Sequence, residues 1–244
     1  MSAYVREIIR QKREWHHKTT PEELARGFRG WHSRGYLPHF DRPGGRQMIT
    51  YRLADSMPAS RRNEWMALLA IEDERQKRIE IENYLDRGFG ECQLRTPEIA
   101  AIVQENLLYS DSRSYRLLAW AIMPNHVHAL IEVLDVPLAL IVRNWKTYTS
   151  RHANALLDRS GRFWQPDYFD RYIRDAEHFR KALRYIENNP VKAKLVREPH
   201  QWPWSSASHR HQTSDRSADS LSARAASADT HTRGQTVRAP MQTA

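Results

Sequence analysis

The order of elements legible in the sequence, β-α-α-β-β-α-β-α, predicts an α+β domain. Its core is a ferredoxin-like antiparallel sheet with helices on one face, extended by an N-terminal arm and a C-terminal helix. Two observations carry this. Four short runs of β-forming residues are separated by stretches of helical period, and two of the runs are joined by the tight dipeptide Pro124-Asn125. The 244 residues allow one domain of ordinary size with extensions. The expected division is a basic, mostly helical arm over 1–45, the domain over 46–207 and a disordered tail over 208–244.

In chain order, Thr19-Thr20-Pro21-Glu22-Glu23 carries a helix-start signal in the arm. Residues 35–45, rich in Gly and Pro, read as an irregular arm and turn. The first strand is expected at 47–53. Residues 60–86 read as one long charged amphipathic helix with Trp65, Leu68, Leu69 and Ile79 on its buried side. A second helix starts near Pro97, with Ile99, Ile102, Val103 and Leu107 at helical spacing. Strands follow at 115–123 and 126–134. A helix over 137–157 places Leu140, Ile141, Trp145 and Tyr148 on one side. The aromatic stretch 163–173 holds the fourth strand. A last core helix, 176–189, packs through Phe179, Leu183 and Ile186 and stops before Pro190, because a residue preceding proline avoids helical backbone angles. Beyond about Ser208 large apolar residues almost vanish, which predicts disorder.

The net charge of +9 points to a polyanionic partner, nucleic acid above all, and the eight tryptophans and ten tyrosines offer faces on which unpaired bases stack. With one cysteine, Cys92, neither an intrachain disulfide nor a thiolate zinc cluster can form, which fits a reducing, cytosolic setting. No apolar run has transmembrane length, and the first residues lack the apolar core of a cleavable signal, so no membrane partner is expected.

The most informative run is Met123-Pro124-Asn125-His126-Val127-His128. On a strand, His126 and His128 project from one face with Cβ atoms roughly 7 Å apart, a spacing at which two imidazoles can share a divalent cation. Val127, Ala129, Ile131 and Val133 then point into a core. On the last helix Tyr185 and Asn189, four residues apart, share a stripe, pairing a phenol with an amide oxygen one turn away. Tyr148, on the helix after the histidine strand, is the rival nucleophile, although its place beside Trp145 favours packing. Glu132 has the parity of the histidines and reads as a solvent-facing charge at a strand end.

Three segments in order, 34–41 (RGYLPHFD), 123–128 (MPNHVH) and 185–193 (YIENNPVKA), resemble the REP-associated tyrosine transposases, single-tyrosine HUH endonucleases of the IS200-like kind. The resemblance spans about residues 34–207 and ends on Trp202-Pro203-Trp204-Ser205-Ser206. It implies the HUH fold, with His126 and His128 as metal ligands, Tyr185 as nucleophile and Asn189 as candidate third ligand, the metal being Mg²⁺ or Mn²⁺. It further implies sequence-specific binding of single-stranded, hairpin-forming DNA from repeated extragenic palindromes, and cleavage through a 5′-phosphotyrosine. A monomer is implied, with a dimer as the alternative, in the bacterial cytoplasm and associated with the nucleoid. Arg42, Arg46, Arg162, Trp164, Gln165, Arg171, Arg174 and Arg180 are the DNA-binding candidates. Lys194 departs from the family's glycine at a position suited to a left-handed cap. Two other readings stand beside this one: a nucleic-acid-binding module without chemistry, and a metal hydrolase of smaller phosphoesters.

Overall fold

The computed structural model describes residues 18–33 and 38–213. Its centre is a four-stranded antiparallel sheet in the order β4-β5-β3-β6, formed by β3 (Arg46–Arg52), β4 (Tyr115–Ile122), β5 (His126–Val133) and β6 (Phe169–Tyr172). The first and third of these strands in chain order lie side by side at the centre, with the second and fourth at the edges, which is the split βαβ arrangement of ferredoxin-like domains. Two further strands, β1 (Gly30–Ser33) and β2 (Pro38–Asp41), form a separate hairpin.

Alternation along β5 divides the molecule. Val127, Ala129, Ile131 and Val133 join Ile49 and Tyr51 of β3, and Leu53 just beyond it, in the main core. That core is covered by α4 (Pro97–Tyr109) and α5 (Leu138–Leu156), which contribute Ile99, Val103, Leu107, Ile141 and Trp145. The other face carries Met48, Ala119, Ala121 and Leu130, and against it lies α6 (Ala176–Lys192) with Ala182 and Ile186. A register shift between Leu117 and Ala119 lets β4 present Ala119 and Ala121, with Met123 just beyond its end, to α6. The added C-terminal helix is therefore on the face opposite α4 and α5, so helices cover both faces of the sheet.

Several expected elements differ. The single helix over 60–86 is two, α2 (Arg62–Ala70) and α3 (Glu74–Asp86). Ile71 leaves the helical region, and the Asp73 side chain accepts a hydrogen bond from the Gln76 backbone at 2.6 Å, starting a new helix. These helices build a small core of their own from Trp65, Ile81, Tyr84 and Leu85. Pro190 lies inside α6 instead of ending it. Proline there removes one hydrogen bond from the last turn, while Asn189 and Pro190 are both buried and their carbonyls accept from Ala193 and Leu195 at 2.9 Å. Leu140 and Tyr148 are exposed on α5, because only Ile141 and Trp145 of the expected stripe face the core.

Helical content in the described N-terminal residues is limited to α1 (Pro21–Ala25), closed by a reciprocal capping box between Thr20 and Glu23. Part of the expected irregular arm is instead the β1–β2 hairpin. It is fastened to the domain by His39 against Asp170, by the Gln47 amide donating to the Phe40 carbonyl, and by the Leu138 backbone donating to Asp41. At the other end of the sheet, residues 202–206 run along the outer edge of β4. Ile122 N–H donates to the Trp204 carbonyl at 2.9 Å, Trp120 N–H donates to Ser206 Oγ, and Ser205 bridges Ala121. A helix over 206–213 follows. The stretches 1–17, 34–37 and 214–244, and the expectations for them, lie outside the described residues. Among those described, no helix is long and apolar enough to cross a membrane.

Candidate active site

Strand parity brings His126 and His128 to the α6 face. There they pair across β3 with Arg52 and Thr50, and His128 pairs across β4 with Ala121, whose small side chain leaves room beside the imidazole. Both rings are 1% exposed. Each Nδ1 has an oxygen partner at 2.8 Å, Asn125 Oδ1 for His126 and Thr50 Oγ1 for His128. With Nδ1–H donated outward in this way, each ring turns an Nε2 lone pair inward, and the two Nε2 atoms stand 3.0 Å apart.

The last turns of α6 complete the group. The Tyr185 ring lies edge-on to His128 with centroids 5.6 Å apart. The Asn189 amide stands 3.0 Å from His128 Nε2, presenting Nδ2, while its Oδ1 is buried without a hydrogen-bond partner. Rotating the amide plane by half a turn would aim that oxygen at His128 Nε2.

Burial, reinforced by the positive charge of Lys192, pushes the His128 pKa down to about 3; burial, His128 and Lys192 likewise lower that of His126. Both rings are neutral at physiological pH, the state a metal ligand requires. The Tyr185 phenol is pushed up, first by burial and then by the charge of Glu82, with Asp86 adding to it. Its hydroxyl is buried without a hydrogen bond of good geometry. It is a weak nucleophile as it stands.

The donor set fits a divalent cation. Two converging neutral imidazole lone pairs need a cation or proton between them, and the orphaned Asn189 Oδ1 would be a third donor once its amide is turned. Among the described residues no group of three His, Cys, Asp or Glu side chains could hold a metal, and the Asn189 amide is the further side chain that stands against His128 Nε2. Two nitrogens and one oxygen suit Mn²⁺ better than Mg²⁺, which prefers an all-oxygen shell.

Residues 96–189, from the start of α4 to Asn189, match the sequence profile of the family described as Transposase IS200 like. Over that stretch the chain is similar to IS200-like transposases. The chain is 25% identical over 113 residues to the REP-associated tyrosine transposase of Escherichia coli (strain K12), covering 46% of this chain and 67% of that one. It is also 25% identical over 166 residues to an uncharacterized protein of Haemophilus influenzae, covering 50% of this chain and 90% of that one. Among solved structures it is similar to a REP-associated tyrosine transposase bound to a REP hairpin, with 19% identity, a TM-score of 0.45, and coverage of 70% of this chain and 81% of that one.

In the described residues the expected ligands and nucleophile converge, whereas the expected DNA contacts scatter. Trp164 is 4% exposed and donates its indole N–H to Thr149 Oγ1 at 2.8 Å, so it packs in the main core and offers no face to a base. Gln165 is engaged with the Ala54 carbonyl. Arg42 donates to the Tyr172 hydroxyl at 3.0 Å, and Arg46 pairs with Glu132 at 3.1 Å while its guanidinium lies over Phe179. Arg171 shares a face with Met48, opposite which it pairs on β3. These three arginines gather at the end of the sheet away from the imidazoles. Arg162, Arg174 and Arg180 are exposed. Glu132 is held by Arg46 and Arg116 and does not reach the histidines. Tyr148 belongs to α5, across the sheet from the site.

Sequence reading missed Thr50 and Arg52, although a β3–β5 pairing would have put them on the histidine face. It also missed Glu82 and Asp86, whose approach to Tyr185 depends on the break between α2 and α3 and on how α3 meets α6.

Proposed function

We propose that this protein is a metal-dependent single-strand DNA endonuclease and strand transferase that acts on hairpin-forming repeat DNA through Tyr185. The observation that carries the reading is the convergence of the Tyr185 phenol, the Asn189 amide and the two inward-facing imidazole nitrogens on one side of the sheet. His126, His128 and Asn189 would hold Mg²⁺ or Mn²⁺, which supplies charge stabilisation at the scissile phosphate. The similarity to a REP-associated tyrosine transposase of Escherichia coli supports a repeat-DNA substrate.

In the reaction, Tyr185 Oη forms a bond to phosphorus as the bond from phosphorus to the 3′ oxygen breaks. The phenol gives up its proton to Glu82, which faces it, and the departing 3′ oxygen takes one up from solvent water to leave as a hydroxyl. The 5′-phosphotyrosine retains the energy of the broken ester, so rejoining needs no nucleotide cofactor. Thr50 and Asn125 hold the imidazoles in the tautomer this requires.

The test is incubation with single-stranded hairpin DNA from the flanking genome and Mn²⁺, followed by mass mapping of protein–DNA peptides. The expected adduct is on Tyr185, absent in Tyr185→Phe and on chelation. An adduct on another tyrosine, or phosphodiester cleavage that survives Tyr185→Phe, would overturn the assignment. DNA binding with no adduct would favour a binding module.

A further inference from the structure

Lys192 is the third member of the α6 stripe that carries Tyr185 and Asn189, at i+7 and i+3 from them. Its ammonium pairs with Asp86 Oδ2 of α3 at 2.9 Å. The pair is lopsided: the lysine side chain is 42% exposed and the aspartate 12%. Its charge also reaches both imidazoles. A fixed positive charge beside a site for a divalent cation is repulsive unless an anion comes between them, and the anion of this reaction is a phosphodiester. The neighbouring cation, Arg52, cannot easily take that part. It is buried against the Trp65 ring with its guanidinium donating to Ser56. Lys192 has the open side, the flexible stem and the compact charge of a phosphate ligand.

We propose that Lys192 receives the scissile phosphodiester, and that Asp86 of α3 occupies it until a phosphate arrives. The inference rests on the single-strand chemistry proposed above. It makes the α2–α3 pair, through one carboxylate, a competitor with DNA for the catalytic cleft, so that a strand must displace Asp86 to enter.

The two partners then act with opposite sign, which a purely structural ion pair would not do. Binding is read by fluorescence anisotropy of a labelled hairpin oligonucleotide with a single-stranded flank. The measurement uses the full chain carrying Tyr185→Phe, across a range of salt concentrations. Lys192→Gln is expected to weaken binding about tenfold and to flatten the dependence of log K on log salt by about 0.7, the loss of one single-strand phosphate contact. Asp86→Asn is expected to tighten binding about threefold by freeing the lysine, and Lys192→Arg to keep most of it. With Tyr185 intact, the rate of adduct formation should move in the same directions. If Lys192→Gln and Asp86→Asn weaken binding alike and leave the salt slope unchanged, the pair is only a tie between helices and the assignment is wrong. If binding shifts with opposite signs but no adduct ever forms, Lys192 stands as a phosphate ligand and the cleavage chemistry fails.

Discussion

Lys194 follows the C-cap of α6 with φ of 58°, in the left-handed region where a side chain crowds its own carbonyl. The position calls for glycine and the chain supplies lysine. Lys194→Gly is expected to raise stability by up to about 1 kcal/mol, the relief of strain exceeding the added freedom of the unfolded chain; urea unfolding measures it. Asp41 is a second strained residue, of a different kind. Burial, reinforced by Asp170, raises its carboxyl pKa to about 6 from a normal 3.8, while the Leu138 N–H opposes the shift. The folded state holds this proton more tightly than the unfolded one. The contribution to stability is complete below pH 3.8 and is lost as pH rises through about 6. Asp41→Asn keeps the oxygen that accepts from Leu138, so it should stabilise the protein at pH 8 by on the order of 2 kcal/mol and make no such gain at pH 4. Thermal unfolding at the two pH values tests this.

At the scale of elements, α6 carries two members of the proposed catalytic group and meets the sheet mainly through Ala182 and the fully buried Ile186. Ile186→Ala should cost about 3 kcal/mol in urea unfolding and also slow adduct formation, because the helix loses its register over His128. How far elements were legible depended on whether their cause was local. β5 and α4 were readable because alternation or helical period coincides with burial along their whole length. The α2–α3 break was not, since Asp73 looks like any charge on a solvated face until it serves as a cap. Pro190 misled for the opposite reason: the rule about prolines is local, and burial of Asn189 and Pro190 under the sheet overrides it. Trp164 was misassigned because a tryptophan in a basic stretch looks the same in sequence whether it meets a base or, as here, Thr149 and Tyr51.

For the whole molecule, the central sheet follows from the order of elements, and the converging imidazoles follow from β5 parity. The approach of Tyr185 was legible only through the family resemblance, since helix period says which residues share a stripe and nothing about which face of the sheet that stripe meets. The small core of Trp65, Ile81, Tyr84 and Leu85 is separate from the main one, so α2 and α3 should open as a unit. Hydrogen exchange is expected to be faster in 62–86 than in β3 or β5; equal protection would mean that the two cores unfold together.

The strip of chain that runs beside β4 has a consequence for company. A bare strand edge invites pairing with a second molecule, and here Trp204, Ser205 and Ser206 already take up the amides of Trp120 and Ile122 and the bridge at Ala121. Two copies therefore cannot fuse their sheets through that side. A chain cut before Trp202 should sediment as heavier species than the intact chain at the same concentration, because the uncovered edge of β4 is then open to a second copy; equal sedimentation of the two would mean that the edge stays closed without this segment.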